Sequence, residues 1–287
     1  MAPAPPAQLI IAFPKAIEAI VFYIMAFMVK NRGGKAFKDQ YILNRTFFVG
    51  FLGWAICMTL DIFLYMIAPL SFNPNVAVYA AGYDFTYPSL VIANFLRDIS
   101  MIGGYVHIWC LLIAAYIIRH GMIETNKHLT QNWVFYCIVG AYGAFFIITD
   151  SIFVQIVPGQ PTVVNAVFSG ISLVTLTITI SLYWIGAAFF YRTAHIQIYS
   201  AEPVLQHRIK LLSYGVILFG SILVYWLLIG MVETLPEIGP VVVAWDIPLE
   251  ILGHGIWTIA PILMYGGLRD PRKIENVAGK LDPTSIS

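Results

Sequence analysis

The chain has 287 residues, a formal net charge of +1, a mean hydropathy of +0.79 and only 11% charged residues. A soluble domain carries roughly 25% charged residues, so this chain cannot cover a water-facing surface, and lipid must be its solvent. The near-neutral balance excludes a bulk basic surface for nucleic acid, and the three cysteines, Cys57, Cys110 and Cys137, all lie in apolar runs and imply no disulfide framework.

A helix needs about 20 mostly apolar residues to cross the hydrocarbon of a bilayer. Seven runs meet that length, which predicts an all-α, polytopic seven-transmembrane-helix bundle. A short outer N-terminal tail, 1–8, shows neither the basic start nor the cleavage site of a secretory signal. The first span, Leu9 to Val29, is therefore read as a retained helix. The second, Phe47 to Leu70, carries Asp61. The outer loop after it, Ser71 to Ser89, mixes Asn, Pro, Tyr and Gly and is long enough to cap the outer mouth. The third span, Leu90 to Ile118, carries Arg97 and Asp98 near its outer end and His107 near mid-membrane. Ser100, Gly103, Gly104, Cys110 and Ala114 share the His107 side at helical spacing, and such small residues suit close helix approach. The fourth span, Trp133 to Val157, carries Asp150. It echoes the second: in each an Asp precedes a Pro by eight residues (Asp61 and Pro69, Asp150 and Pro158), with a Thr shortly before the Asp. The fifth, Val164 to Tyr191, sets Ser169, Ser172, Thr175 and Thr179 on one face, where bonds to backbone or to a neighbouring helix are the ordinary outcome. The sixth is Leu211 to Val232. The seventh, Val241 to Leu268, holds Asp246, Glu250 and His254 four residues apart, hence in one stripe, with Gly253 and Gly255 beside the histidine and Trp257 one turn further on. Residues 9–268 thus form a single transmembrane domain, and 269–287 a short cytoplasmic tail.

Basic residues stay cytoplasmic. The first loop holds Lys30, Arg32, Lys35, Lys38 and Arg45, the third Arg119 and Lys127, and the fifth Arg192, Arg208 and Lys210. The tail holds Arg269, Arg272, Lys273 and Lys280. That places 14 of the 16 Lys and Arg on one side, with only Lys15 and Arg97 in the other half. The N-terminus is therefore expected outside and the C-terminus in the cytoplasm, in a plasma or cell membrane. Nine of the 15 acids, Glu18, Asp61, Asp84, Asp98, Asp150, Glu233, Glu237, Asp246 and Glu250, fall in the outer half. Such an acidic mouth concentrates cations and repels anions, although it also simply reinforces the topology.

Ionisable side chains in hydrocarbon cost at least about 2.5 kcal/mol on insertion scales and normally face the bundle interior. Each intramembrane Asp, Glu, Arg or His is therefore a candidate for a ligand or ion pocket: Asp61, Arg97, Asp98, His107, Asp150, Asp246, Glu250 and His254, with Trp257 beside them. Arg97 needs an acidic partner, for which Asp61, Asp150 and Glu250 are candidates. Each histidine has a plainer reading as a hydrogen-bonded core residue. His107 and His254, if they face each other at comparable depth, also have the side chains to ligate a b-type haem. Mutual burial of the His107 and His254 faces predicts that the third and seventh helices touch. No phosphate-cradling glycine loop, nucleophile elbow or paired-histidine zinc helix is present.

The last two spans resemble those of microbial rhodopsins. Trp226-Leu227-Leu228-Ile229-Gly230 is similar to the opsin Trp-Leu-Ile-Gly stretch, and Glu250 precedes His254 by four residues where opsins place an Asp before the retinal-binding Lys. The resemblance implies a seven-helix architecture and no activity. His254 stands at the lysine position, and a Schiff base needs a primary amine, so covalent retinal is not expected.

The leading functional expectation is a non-enzymatic sensor or receptor-like bundle, with a small ligand or cation entering from the outer side. Proton or cation translocation, a haem b electron-transfer subunit and a structural subunit of a larger membrane complex are the alternatives. Partners compatible with them are the lipid bilayer, other membrane proteins or further copies of the chain.

Overall fold

The computed structural model describes residues 6–30, 38–67, 88–134, 136–138, 140–141, 181, 184–186, 188, 192, 203–233 and 246–268. Within these helices some side chains lie outside the description, those of Arg97, Asp98 and Asp246 among them. Apart from a bend at Asn132 the described residues are helical, and among them there is no strand. Five long helices carry the fold: α1 (Pro6–Lys30), α2 (Lys38–Ile67), α3 (Pro88–Gln131), α4 (Pro203–Glu233) and α5 (Asp246–Leu268). Each contains an apolar stretch long enough to cross a bilayer: Ala12–Lys30, Tyr41–Phe63, Ile99–His120, His207–Tyr225 and Pro248–Leu268. They correspond to the first, second, third, sixth and seventh predicted spans. The fourth and fifth spans, Asp150, the second half of the Asp–Pro echo and the Ser169–Thr179 face fall wholly or largely outside the described residues.

The helices form a continuous sequence of neighbours. α3 packs on α2, α2 on α1, α1 on α5, and α5 on α4. Glycine sets two of these contacts. A Cβ on Gly53 of α2 would stand 2.9 Å from the Gly103 carbonyl oxygen, and one on Gly103 would stand 2.6 Å from that of Gly53. Likewise a Cβ on Gly215 of α4 would stand 2.8 Å from the Ala260 carbonyl oxygen, and one on Gly267 of α5 2.5 Å from that of Arg208. Helix association in lipid relies on this backbone proximity, because apolar side chains gain little by leaving one hydrocarbon for another.

Each helix sends at least one ring to a common centre: Phe22 from α1, Phe51 and Trp54 from α2, His107 from α3, Phe219 from α4 and Trp257 from α5. Phe219 joins them, with ring centroids 4.6 Å from Trp54, 4.9 Å from His107, 5.6 Å from Trp257 and 6.2 Å from Phe22. Edge-to-face and tilted pairs at these separations contribute about 0.5–1.5 kcal/mol each beyond simple burial. Above and below this layer the α1 interface follows one helical stripe, through Ala19, Ala26 and Val29.

The neighbours and the length of α3 add detail to the expectations. The main partner of α3 is α2, while α5 lies against α1 and α4. The Gly103–Gly104 face does turn inward, but toward Gly53, Trp54 and Cys57 of α2. α3 also continues thirteen residues past the predicted end of the third span. It carries on because residues 119–131 contain no proline and remain amphipathic, with Thr125 buried and Glu124, Asn126 and Lys127 exposed.

Candidate functional site

The site begins on α1. Lys15 and Glu18 are three residues apart and share the stripe that leads to Phe22, so both turn into the bundle. Lys15 is 4% exposed and Glu18 fully buried. α2 runs antiparallel to α1, as the pairings of Glu18 with Trp54 and of Phe22 with Phe51 require. That direction brings Trp54 and Asp61 to the same end. α5 enters from the same end and adds Glu250 and His254.

The hydrogen bonds link the three helices. Trp54 Nε1 donates to Glu18 Oε1 at 2.6 Å. His254 Nδ1 lies 2.6 Å from Glu18 Oε2, and its Nε2 lies 3.1 Å from Glu250 Oε2. Lys15 Nζ donates to Asp61 Oδ2 at 2.5 Å. Supporting bonds hold the frame: Thr258 Oγ1 donates to the His254 carbonyl at 2.9 Å, Trp257 Nε1 to the Phe219 carbonyl at 3.2 Å, and Tyr225 Oη to the Leu249 carbonyl at 2.9 Å. Glu250 and His254 are also buried, and the His254 ring lies 5.5 Å from that of Trp257.

Counting protons gives the site its chemistry. An ionised carboxylate accepts hydrogen bonds only, and a neutral imidazole has a single N–H. Both ring nitrogens of His254 nevertheless face a carboxyl oxygen at hydrogen-bond distance. For both contacts to be hydrogen bonds, Glu18, His254 and Glu250 must share one proton beyond a neutral imidazole and two carboxylates. That proton makes either an imidazolium or a carboxylic acid. With it, and with Lys15 charged, the set Lys15, Glu18, Asp61, Glu250 and His254 still carries one formal negative charge. Loss of the proton adds a second, in a place where charge is costly.

Of the residues singled out from sequence, Asp61, Glu250 and His254 are brought together here. His107 and Trp257 sit just below, in the aromatic layer. His107 is fully buried, with Nδ1 3.0 Å from the Gly50 carbonyl oxygen. The side chains of Arg97, Asp98 and Asp246, and the whole of Asp150, lie outside the described residues. Asp61 is paired with Lys15; the side chain of Arg97, for which Asp61 was one of the expected partners, lies outside the described residues. Lys15, Glu18 and Trp54 were not among the candidates. A signal for the first two existed: an i,i+3 acid–base pair inside an apolar span, with Lys15 one of only two basic residues on that side.

The two histidines do not fit a haem. Both nitrogens of His254 are engaged by carboxyl groups, and a chain of ring contacts through Phe219 and Trp257 links the two imidazoles. Among the described residues no group of three or more His, Cys, Asp or Glu is arranged to hold a metal ion. A cavity of about 500 Å³ lies between α1 and α5 and is lined by apolar residues such as Ile10, Phe13, Ile17 and Ile251.

No protein-family profile, no curated protein and no solved structure matches the chain.

Proposed function

We propose that the chain is a seven-spanning membrane sensor, N-terminus outside, and that the cation it binds in its outer half is the proton. The observation that carries this reading is His254 held at both nitrogens, by Glu18 of α1 and Glu250 of α5. The one-sided distribution of Lys and Arg supports this orientation, and five helices of spanning length support a multi-pass chain. The acidic outer side supplies a field that draws protons to the cluster.

Protonation couples directly to helix packing. With the proton bound, Glu18 joins α1 to α5 through His254 and to α2 through Trp54. Without it, one His254 contact loses its hydrogen and two carboxylates face each other across a neutral ring. The α1–α5 contact is therefore strongest at low pH and weakens as pH rises through release of the proton. A two-state element biased by one ligand is all that a sensor requires.

The aromatic layer favours sensing over translocation. Phe22, Phe51, Trp54, Phe219 and Trp257 surround His107 at the centre of the described bundle beneath the cluster, and a single imidazole among apolar rings is not a chain of proton carriers.

A pH titration of intrinsic fluorescence tests the reading, because Trp54 donates to Glu18 and Trp257 lies on His254. Wild type should show one sigmoidal transition, and Glu250→Gln should shift or remove it. Protein in liposomes should conduct no protons under an imposed potential. A flat titration contradicts the sensor, while sustained proton flux would replace it with a translocator.

A further inference from the structure

The end of α1 and α2 away from the ionic cluster carries exposed cations rather than buried ones. The apolar stretch of α1 ends at Lys30 and that of α2 begins at Tyr41, so the two helices reach the membrane border together. Tyr41, Arg45 and Phe48 recur at i, i+4 and i+7 and share one face of α2. Two cations lie on that face. The Arg45 guanidinium stands over the Tyr41 ring, 5.5 Å from its centroid. Lys30 Nζ reaches across from α1 and stands 5.1 Å from the centroid of Phe48. Lys30, Tyr41 and Arg45 are all exposed.

An aromatic ring orients a cation without cancelling its charge. No carboxylate among the described residues pairs with Lys30 or Arg45. The sequence balance points the same way. Residues 30–45 contain Lys30, Arg32, Lys35, Lys38 and Arg45 against a single acid, Asp39. The segment is therefore net positive whichever base Asp39 serves.

Beside the cations the surface turns apolar. Ile20, Ile24 and Phe27 recur at i, i+4 and i+7 on α1, and each is about half exposed. Phe27 packs on Phe48, the ring beneath Lys30, with centroids 6.1 Å apart. Positive charge and apolar stripe are thus continuous. A soluble anion uses only the cations. A molecule with an anionic head and hydrocarbon chains uses both surfaces.

We propose that Lys30 and Arg45 bind the phosphate of an anionic phospholipid, whose acyl chains lie along Ile20, Ile24 and Phe27. Lys and Arg clustered just outside a membrane span attract such lipids, and here two rings hold the cations at head-group level. The site requires only that α1 and α2 span a membrane. On the N-terminus-outside reading it faces the cytoplasmic leaflet, where anionic lipids concentrate. It is separate from the His254 cluster, and its test does not depend on proton binding or on orientation.

Native mass spectrometry of the full-length protein, released from neutral detergent micelles, counts bound lipid directly. Dioleoyl phosphatidylglycerol is the probe. Dioleoyl phosphatidylcholine, with the same chains and no net charge, is the reference. Wild type should hold phosphatidylglycerol in preference at equal concentration. Lys30→Gln with Arg45→Gln should weaken that binding roughly fivefold for each base removed. Lys30→Arg with Arg45→Lys keeps both charges and should bind as wild type does. Lys127→Gln with Lys210→Gln removes the same charge elsewhere and should leave binding unchanged. If the Lys30 and Arg45 double variant does not fold, Lys30→Gln alone, at the last residue of α1, carries the comparison. No preference for phosphatidylglycerol in wild type overturns the proposal. So does equal weakening in the two Gln pairs, which would reduce the effect to total charge. Inorganic phosphate that displaces the lipid at matching concentration would assign the cations to a soluble anion and overturn the lipid assignment.

Discussion

Glu18 has two distinct duties, one for each carboxyl oxygen. Oε1 accepts the Trp54 indole N–H, and Oε2 faces His254. Glu18→Ala leaves a buried indole N–H and a buried imidazole nitrogen without these acceptors. Removing one member of a buried charged network costs about 3–5 kcal/mol. Glu250 contacts His254 along a single helix, and Glu250→Gln keeps an oxygen acceptor, so its cost is nearer the roughly 1–3 kcal/mol of a disturbed polar contact. Denaturant unfolding in mixed micelles should therefore rank Glu18→Ala well below Glu250→Gln. Equal stability of the two variants would remove Glu18 from the centre of the site. Sequence reasoning reached Glu250, His254 and Asp61 because an ionisable group in an apolar run stands out unaided. Glu18 stands out in the same way. Its importance lies in partners 36 and 236 residues distant, and no local spacing encodes such pairings.

At the scale of helices, glycine separates close contact from open surface. Gly53→Val places a side chain against the Gly103 backbone, which cannot yield as a flexible side chain can. Overpacking of this kind costs about 1–3 kcal/mol. Gly255→Ala is the control: it lies on α5 close to His254, yet a Cβ there meets nothing within 4 Å. A thermal melt should show a lower midpoint for Gly53→Val and none for Gly255→Ala. A drop of the same size in both would mean that α2 and α3 do not approach through Gly53. The existence of these five helices was legible from apolar run length. Their ends were less so, because α2 starts nine residues before the predicted Phe47 and α3 runs on to Gln131. Polar residues outside the hydrocarbon extend a helix without adding to its hydropathy. The dominant neighbour of α3 is α2 rather than α5. Its small-residue face was recognised correctly, but Gly50 and Gly53 of α2 offered an equally small surface, and helices consecutive in sequence are usually neighbours in space.

For the whole molecule, the described bundle divides into a buried ionic cluster at one end, a layer of rings at its centre and a pair of exposed cations over rings at the far end of α1 and α2. The layer is where all five helices meet, so a change in how α1 sits on α5 reaches Phe219 through Phe22 and Trp257. In the function proposed above, this architecture turns a single proton into a packing change. Infrared difference spectroscopy across about pH 5 to 9, the range in which a histidine-linked site most readily titrates, measures that proton most directly. The account predicts one titrating signal, either a protonated-carboxyl C=O band or imidazolium modes. It should be altered in Glu18→Gln and Glu250→Gln and absent in His254→Phe. A spectrum with no titrating carboxyl or imidazole band in wild type, or one identical in all three variants, would contradict it.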